Sequence, residues 1–366
     1  MAWTSCANNR TRASAHPTSS GAAKLGLLQD REDGRESTVV VMAIDGVRWE
    51  DVFLGVERDL AAEKGLSESE ILAPRELMPN LHTIIDGGGA AITNIYASGP
   101  NFVSLPGYME MLSGVRPTGC TNNDCSRTKW HTVADDIASL PGVAPEQVAV
   151  ISSWQGINHA AATHPEKLIV STGRTRGENR ELLEYDVKSA ELLDAGEMAG
   201  PSPGHADFRR DRATAAIALR YLKQKKPRFM FLGLGETDEY AHKDDYRSYL
   251  RALSYADSVV GELATILDEL GGEGRRTTLF VTTDHGRAAE FIRHGEDAPE
   301  SSRVWLVAAG YGIRARGRVS PPVPRHLADI AATVREIQGI PPASESASAL
   351  GELFTPDEQR VAVTVP

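Results

Sequence analysis

The chain has 366 residues, enough for one large domain or two ordinary ones, with 41% apolar and 24% charged residues as in globular proteins. Its longest apolar runs, such as Val39 to Ile44, fall far short of the ~20 residues a membrane-spanning helix needs. The formal net charge of -11 argues against counterion-driven binding to a nucleic-acid backbone. It leaves a small anionic substrate open, because bound divalent cations invert the local potential.

Residues 1–37 are rich in Ser, Thr, Asn, Gly and charge without sustained periodicity, and read as a disordered leader or linker. They hold no apolar stretch of the kind an intact secretory signal carries. Cys6 is there either a plain surface cysteine or the remainder of a lipoprotein attachment site.

From residue 38 onward, continuous β-branched runs of strand length recur at Val39–Ile44, Ala91–Tyr96, Val148–Ser152, Phe229–Leu234, Thr278–Thr282 and Val304–Ala308. Lacking in/out alternation, they predict strands buried on both faces. In the polar run Cys120-Thr-Asn-Asn-Asp-Cys125, the two cysteines could close a small disulfide loop or stay free; a disulfide implies export. Helical periodicity covers Arg212 to Lys225 and then Tyr246 to Leu270, where Leu250, Leu253, Val260, Leu263, Leu267 and Leu270 form one stripe that Gly271 and Gly272 end. Asp329 to Ile337 predicts a last helix. This β-α-β-α order predicts an α/β protein, a three-layer α/β/α sandwich around a mainly parallel central sheet, in one domain over 38–345. The polar stretch 155–210 reads as an insertion or cap, and 346–366 as a C-terminal tail.

Ligands of open α/β sheets bind beyond the carboxyl ends of the strands. There the sequence places Asp45-Gly46, then Asp238 with His242 four residues on, then Asp284-His285-Gly286, with His294-Gly295 ahead of the last long strand. Singly, each has an ordinary explanation as a turn, a helix cap or a hydrogen-bonded pair. Together they predict a metal centre. Three Asp and three His suit zinc, with manganese or iron by the same donor logic, and six ligands fit two divalent ions rather than one. Two such ions clamp the entering and leaving oxygens of an in-line displacement. The nucleophile is expected at Gly99-Pro-Asn-Phe-Val-Ser104-Leu-Pro106, with Ser104 at the cap position and Pro106 as the first helical residue.

This ordered set resembles the alkaline phosphatase superfamily, most closely its nucleotide pyrophosphatase/phosphodiesterase-like branch, over about residues 38 to 340. The resemblance implies one ion held by Asp238, His242 and His294, and a second by Asp45, Asp284 and His285, with Ser104 between them. Leu112-Ser-Gly-Val-Arg-Pro117 resembles the segment after the nucleophile, and His326-Leu-Ala-Asp-Ile the closing helix. Asn123, or alternatively Asn122, would contact a non-bridging substrate oxygen. Ser104 stands where that branch usually has Thr, and Ala241 where it has Gly. Tyr108 takes the place of the arginine a sulfatase would carry.

The expected activity is hydrolysis of a small anionic phosphoester, mono- or diester, through a phosphoserine on Ser104. The alternatives are a phosphotransferase or mutase, a sulfuric ester hydrolase at the same site, and, more remotely, a non-catalytic zinc-binding protein. Arg127 and Lys129 are candidates for the extra cations a monoester needs, and Trp154, Gln155 and His159 for the pocket wall. An exported location, periplasmic or lipid-anchored, is expected.

Overall fold

The computed structural model describes residues 37–175, 177–205, 207–343 and 347–354. Nine strands among them form one sheet: β1 (Thr38–Ile44), β2 (Ala90–Tyr96), β3 (Val148–Ser152), β4 (Ile169–Thr172), β5 (Phe229–Leu234), β6 (Thr277–Thr282), β7 (Arg303–Gly310), β8 (Gly317–Val319) and β9 (Arg325–His326). Their order is β4-β3-β5-β1-β6-β7-β2-β8, with β9 also on β2. Only β7 runs against its neighbours, antiparallel to β6 and β2, so the sheet is mostly parallel.

Side-chain parity makes the three layers. Along β1, Val40, Met42 and Ile44 enter one core while Val39, Val41 and Ala43 enter another on the opposite face. The first core is closed by helices Pro79–Asp86, Asp211–Lys225 and Tyr246–Glu269, which contribute Leu81, Leu222 and Leu253. The second is closed by Ser104–Ser113, Val133–Ala138 and Ala328–Gln338 through Leu105, Ile137 and Ile330. A strand covered on both sides has no polar face to alternate with, which is why the central strands read as unbroken apolar runs.

Register then sets the level of everything beyond the strands. β1 is paired in parallel on both sides, Ile44 opposite Leu234 of β5 and Ala43 opposite Thr282 of β6. Asp45, the turn after β5 and the turn after β6 therefore leave the sheet side by side.

Three strands, β4, β8 and β9, had no counterpart among the predicted runs; each has four residues or fewer, too short for a periodic signal. β4 lies inside 155–210, the expected insertion or cap, and it pairs in parallel with β3 as the edge of the main sheet. This stretch is therefore built into the sandwich. The expected boundary at 345 is crossed too: Leu350 and Leu353 are fully buried, and Leu353 O accepts from the N–H groups of Arg314 and Ala315 at 2.8 and 3.0 Å. Cys6 and the leader 1–36 lie outside the described residues. Among those described, no helix is long and apolar enough to cross a membrane.

Candidate active site

The parallel register of β5, β1 and β6 brings all six predicted ligands together. Donor atoms of Asp45, Asp284 and His285 lie within 4.8 Å of one another, as do those of Asp238, His285 and His294. His285 Nε2 is 3.4 Å from Asp45 Oδ1, 3.5 Å from Asp284 Oδ2 and 3.9 Å from Asp238 Oδ1, so it stands where the two groups meet. His242 Nε2 completes the outer side, 3.1 Å from Asp238 Oδ2 and 3.0 Å from His294 Nε2.

The two inner imidazoles are aimed. Nδ1 of His285 faces Gly286 O at 2.8 Å and Nδ1 of His294 faces Phe102 O at 3.0 Å, so Nδ1–H donates and each Nε2 presents its lone pair to the cluster. The carboxylates are less complete. Gly46 N–H donates to Asp284 Oδ1 at 3.1 Å, while Asp284 Oδ2 is buried without a hydrogen-bond partner. A buried carboxylate oxygen left this way is costly unless a cation meets it. The mixed Asp and His donors, with that orphaned oxygen, fit divalent ions of the zinc type. Gly46 is required in this arrangement: its φ is +62°, and a Cβ there would run into Asp238 and Arg287.

Ser104 enters from another strand-to-helix turn. The helix spans Ser104–Ser113 with Val103 as its cap, so Ser104 is the first helical residue and Pro106 the third, one and two steps inside their expected positions. Proline is tolerated there because first-turn N–H groups have no intrahelical acceptor. The free N–H of Leu105 is taken instead by Asn123 Oδ1 at 2.9 Å. The serine side chain, relieved of capping, places Oγ 3.3 Å from Asp45 Oδ1 and 3.3 Å from His285 Nε2. Gly107, which sequence reasoning passed over, allows this approach: a Cβ would sit 2.6 Å from Asp284 O.

Of the two candidate asparagines, Asn123 lines the cleft at Ser104, whereas Asn122 Oδ1 accepts from Asp124 N–H at 2.9 Å as a turn residue. Cys120 and Cys125, left open by the sequence, form a disulfide with Cα atoms 5.6 Å apart that closes the loop holding both.

Charge crowding follows from burial. The Asp45 and Asp284 carboxyls are pushed well above the usual range, first by burial and then by neighbouring carboxylates. For Asp238 burial acts the same way, but Arg287 above all, with the hydrogen-bonded His242, outweighs it and holds the group well below its ordinary value. Burial lowers His285 to about 4 and, with His285 beside it, His294 to about 2, so both rings are neutral and ligand-ready at pH 7.

Two residues at the site were missed. Tyr108, one turn after Ser104, donates its hydroxyl to Asp45 Oδ2 at 2.9 Å. Arg287 is buried, hydrogen-bonds Asp238 Oδ1, and donates to Phe291 O at 2.5 Å and Ile292 O at 2.6 Å, tying down the loop that leads to His294. Its place directly after Asp-His-Gly was the available signal.

The cleft over Ser104 has a volume of about 300 Å³ and is lined by Asp45, Asn123, Trp154, Asp238 and Glu239 among others, with no Lys or Arg in its wall among the described residues. Arg127 is turned away, donating to Asn158 O at 2.7 Å and Ala162 O at 3.2 Å, and Lys129 is exposed. Of the other wall candidates Trp154 lines the cleft, whereas Gln155 and His159 do not.

A family model described as the Metalloenzyme superfamily matches residues 193–342, the part that carries Asp238, His242, Asp284, His285 and His294. Curated relatives match short stretches. GPI ethanolamine phosphate transferase 1 of Aspergillus fumigatus is 33% identical over 93 residues, 25% of this chain and 9% of that protein. Phosphopentomutase of Thermotoga maritima is 29% identical over 120 residues, 32% of this chain and 28% of the relative. The matches thus span under a third of these relatives' length. Among solved structures, wild-type alkaline phosphatase PafA shares the fold with a TM-score of 0.58 at 12% identity, covering 88% of this chain and 99% of that one. A 2-O GAG sulfatase does so with a TM-score of 0.54 at 14% identity, covering 89% and 76%.

Proposed function

We propose that the chain is an alkaline-phosphatase-like metalloenzyme that cleaves phosphoric esters at Ser104 beside two divalent ions, and that its substrates are diesters rather than monoesters, a reading supported by the family model over residues 193–342 and by the shared fold. One observation carries the reading: Ser104 Oγ lies within 3.3 Å of both Asp45 and His285, on the edge of a six-ligand cluster. Asp45, Asp284 and His285 would hold one ion, and Asp238, His242 and His294 the other. When bound, the ions lower the pKa of the serine hydroxyl and neutralise charge on the entering and leaving oxygens.

The residues of the chain do the rest. Asp45 Oδ1 orients the Oγ–H and is an acceptor for its proton, while Tyr108 holds the other carboxylate oxygen. The ten-residue helix that begins at Ser104 points its N-terminal end at developing negative charge. As the Oγ–P bond forms, the opposite P–O bond breaks and an alcohol departs; water then hydrolyses the phosphoseryl group. Asn123, with Oδ1 engaged by Leu105 N–H, turns its amide N–H toward a non-bridging oxygen of substrate in the cleft.

The diester preference rests on charge. A monoester dianion needs cationic side chains, and among the described residues the wall offers none from Lys or Arg while contributing the Glu239 carboxyl. Transfer to an acceptor alcohol instead of water is the second reading, favoured by the named activities of the transferase and mutase relatives. Product analysis with an added alcohol separates the two. The Cys120–Cys125 disulfide supports an exported protein.

Ser104→Ala should lower turnover of an aryl phosphodiester by ~10³-fold or more while the protein keeps its metal. Near-wild-type activity in that variant would remove Ser104 from the mechanism.

A further inference from the structure

Phe291, in the loop between Gly286 and His294, is fully buried with its backbone at φ +80°, a left-handed conformation that bulky side chains rarely adopt. Such a conformation persists only where the surroundings over-determine it. Two buried tyrosines do so. Tyr246 and Tyr249, three residues apart at the start of the Tyr246–Glu269 helix, stack with ring centroids 5.7 Å apart. The Phe291 ring stands at 71° and 76° to them, with centroids 4.8 and 4.9 Å away, the edge-on geometry that aromatic pairs favour. The tyrosines are held in turn. Their hydroxyls donate to the two oxygens of the buried Asp51 carboxylate at 2.6 and 3.0 Å, and Asp51 lies on the short helix Trp49–Phe53 that follows the Asp45 turn. The other side of Phe291 faces the metal ligands. Its carbonyl accepts from Arg287 Nε at 2.5 Å, and its ring centroid is 5.8 Å from the same guanidinium. Arg287 hydrogen-bonds Asp238, and Ala288 N–H donates to Arg293 O at 2.8 Å, closing the loop just ahead of His294.

We propose that Phe291 is a positioning residue for the metal centre: a bracket of Asp51, Tyr246 and Tyr249 holds its ring, and through Arg287 it fixes Asp238 and His294 for the ion they share. The inference rests on the two-ion reading of the site and is independent of the ester that is cleaved. A ligand loop without such an anchor must be ordered when the ion binds, and that ordering is subtracted from the affinity. An anchored loop has met the cost in folding.

Phe291→Leu, which keeps a large apolar side chain and removes the ring, tests it on the full chain. Zinc affinity measured by chelator competition should fall roughly tenfold or more. In metal-free protein, amide hydrogen exchange should quicken across residues 287–293 and stay as in wild type along the Tyr246–Glu269 helix. Combined with Arg287→Ala, the same change should weaken zinc little further, because both act along one path. Wild-type zinc affinity in Phe291→Leu, full additivity with Arg287→Ala, or loop amides already unprotected in metal-free wild type would each overturn the proposal. If Phe291→Leu does not fold, Tyr249→Phe keeps both tyrosine rings and removes one hydroxyl from Asp51. Weaker zinc binding with faster loop exchange in that variant supports the bracket, and unchanged values overturn it. If loop exchange responds as stated while wild type takes up no zinc, the anchor stands and the two-ion reading falls.

Discussion

At the ends of β3 and β5, Asp211 accepts hydrogen bonds from Ser153 Oγ at 2.6 Å, Gly235 N–H at 2.8 Å and Glu236 N–H at 3.0 Å. Beside it Arg209, fully buried, donates to Thr214 Oγ1, Ser171 Oγ and the carbonyls of Ser152 and Ser171 at 2.9 to 3.0 Å. Two strands away, at the ends of β1 and β6, Asp45 and Asp284 are as deeply buried, yet Asp45 accepts only hydroxyl groups and Asp284 Oδ2 accepts nothing. The first cluster is closed by the protein's own donors and ties β3, β4 and β5 together. The second is left open by the described residues, with Asp284 Oδ2 unmet. Buried acid at a strand end is therefore not itself the mark of a site; the unmet oxygen is.

The contrast can be broken at either end. Asp284→Asn should lower turnover by ~10³-fold or more and lose bound metal, by elemental analysis. In chelator-treated protein the same change should leave Tm unchanged or raised, because it relieves crowding against Asp45. A large drop in that Tm would make Asp284 a structural acid like Asp211. Asp211→Ala should do the reverse, costing about 2–4 kcal/mol in urea unfolding by stranding its buried donors, with metal content intact. Loss of metal from that variant would erase the distinction between the clusters.

Arg287→Ala sharpens the comparison from the metal side. Removing the guanidinium frees the loop before His294, and metal affinity measured by chelator competition should weaken about 10- to 100-fold. Unchanged affinity would leave Arg287 a packing residue only.

The smallest effect is a pH slope. Burial, and then Glu236, raise Asp211 to about 7 from an ordinary 3.8. The folded protein therefore holds a proton that the unfolded chain has released, and this contribution to stability is present at pH 4 and lost as pH rises to 7. Its slope is at most ~1.4 kcal/mol per pH unit. Asp211→Asn should accordingly gain on wild type between pH 4 and 7 in thermal melts; parallel curves would show that Asp211 ionises normally.

Much of this was legible beforehand. The six long strands were placed within two residues, because a strand buried on both faces must be apolar throughout, and the ligands followed because they occupy the first turns beyond those strands. The register of Ser104 was misread by one step because Val103, not Ser104, occupies the cap position, and the free N–H of Leu105 is met from Asn123, eighteen residues away in sequence. β4 escaped notice because an edge strand of four residues leaves no periodic trace.

Local sequence alone determined the layered α/β fold, the two kinds of metal donor and the serine beside them, since apolar runs and strand-end residues are properties of short segments. Tertiary structure decided which donors lie together, that His285 stands between the two groups and that Arg127 faces away from the cleft. Those outcomes depend on the order β5-β1-β6 and its register, which bring residues 45, 104, 238 and 284 within a few ångströms and which no periodicity along the chain encodes.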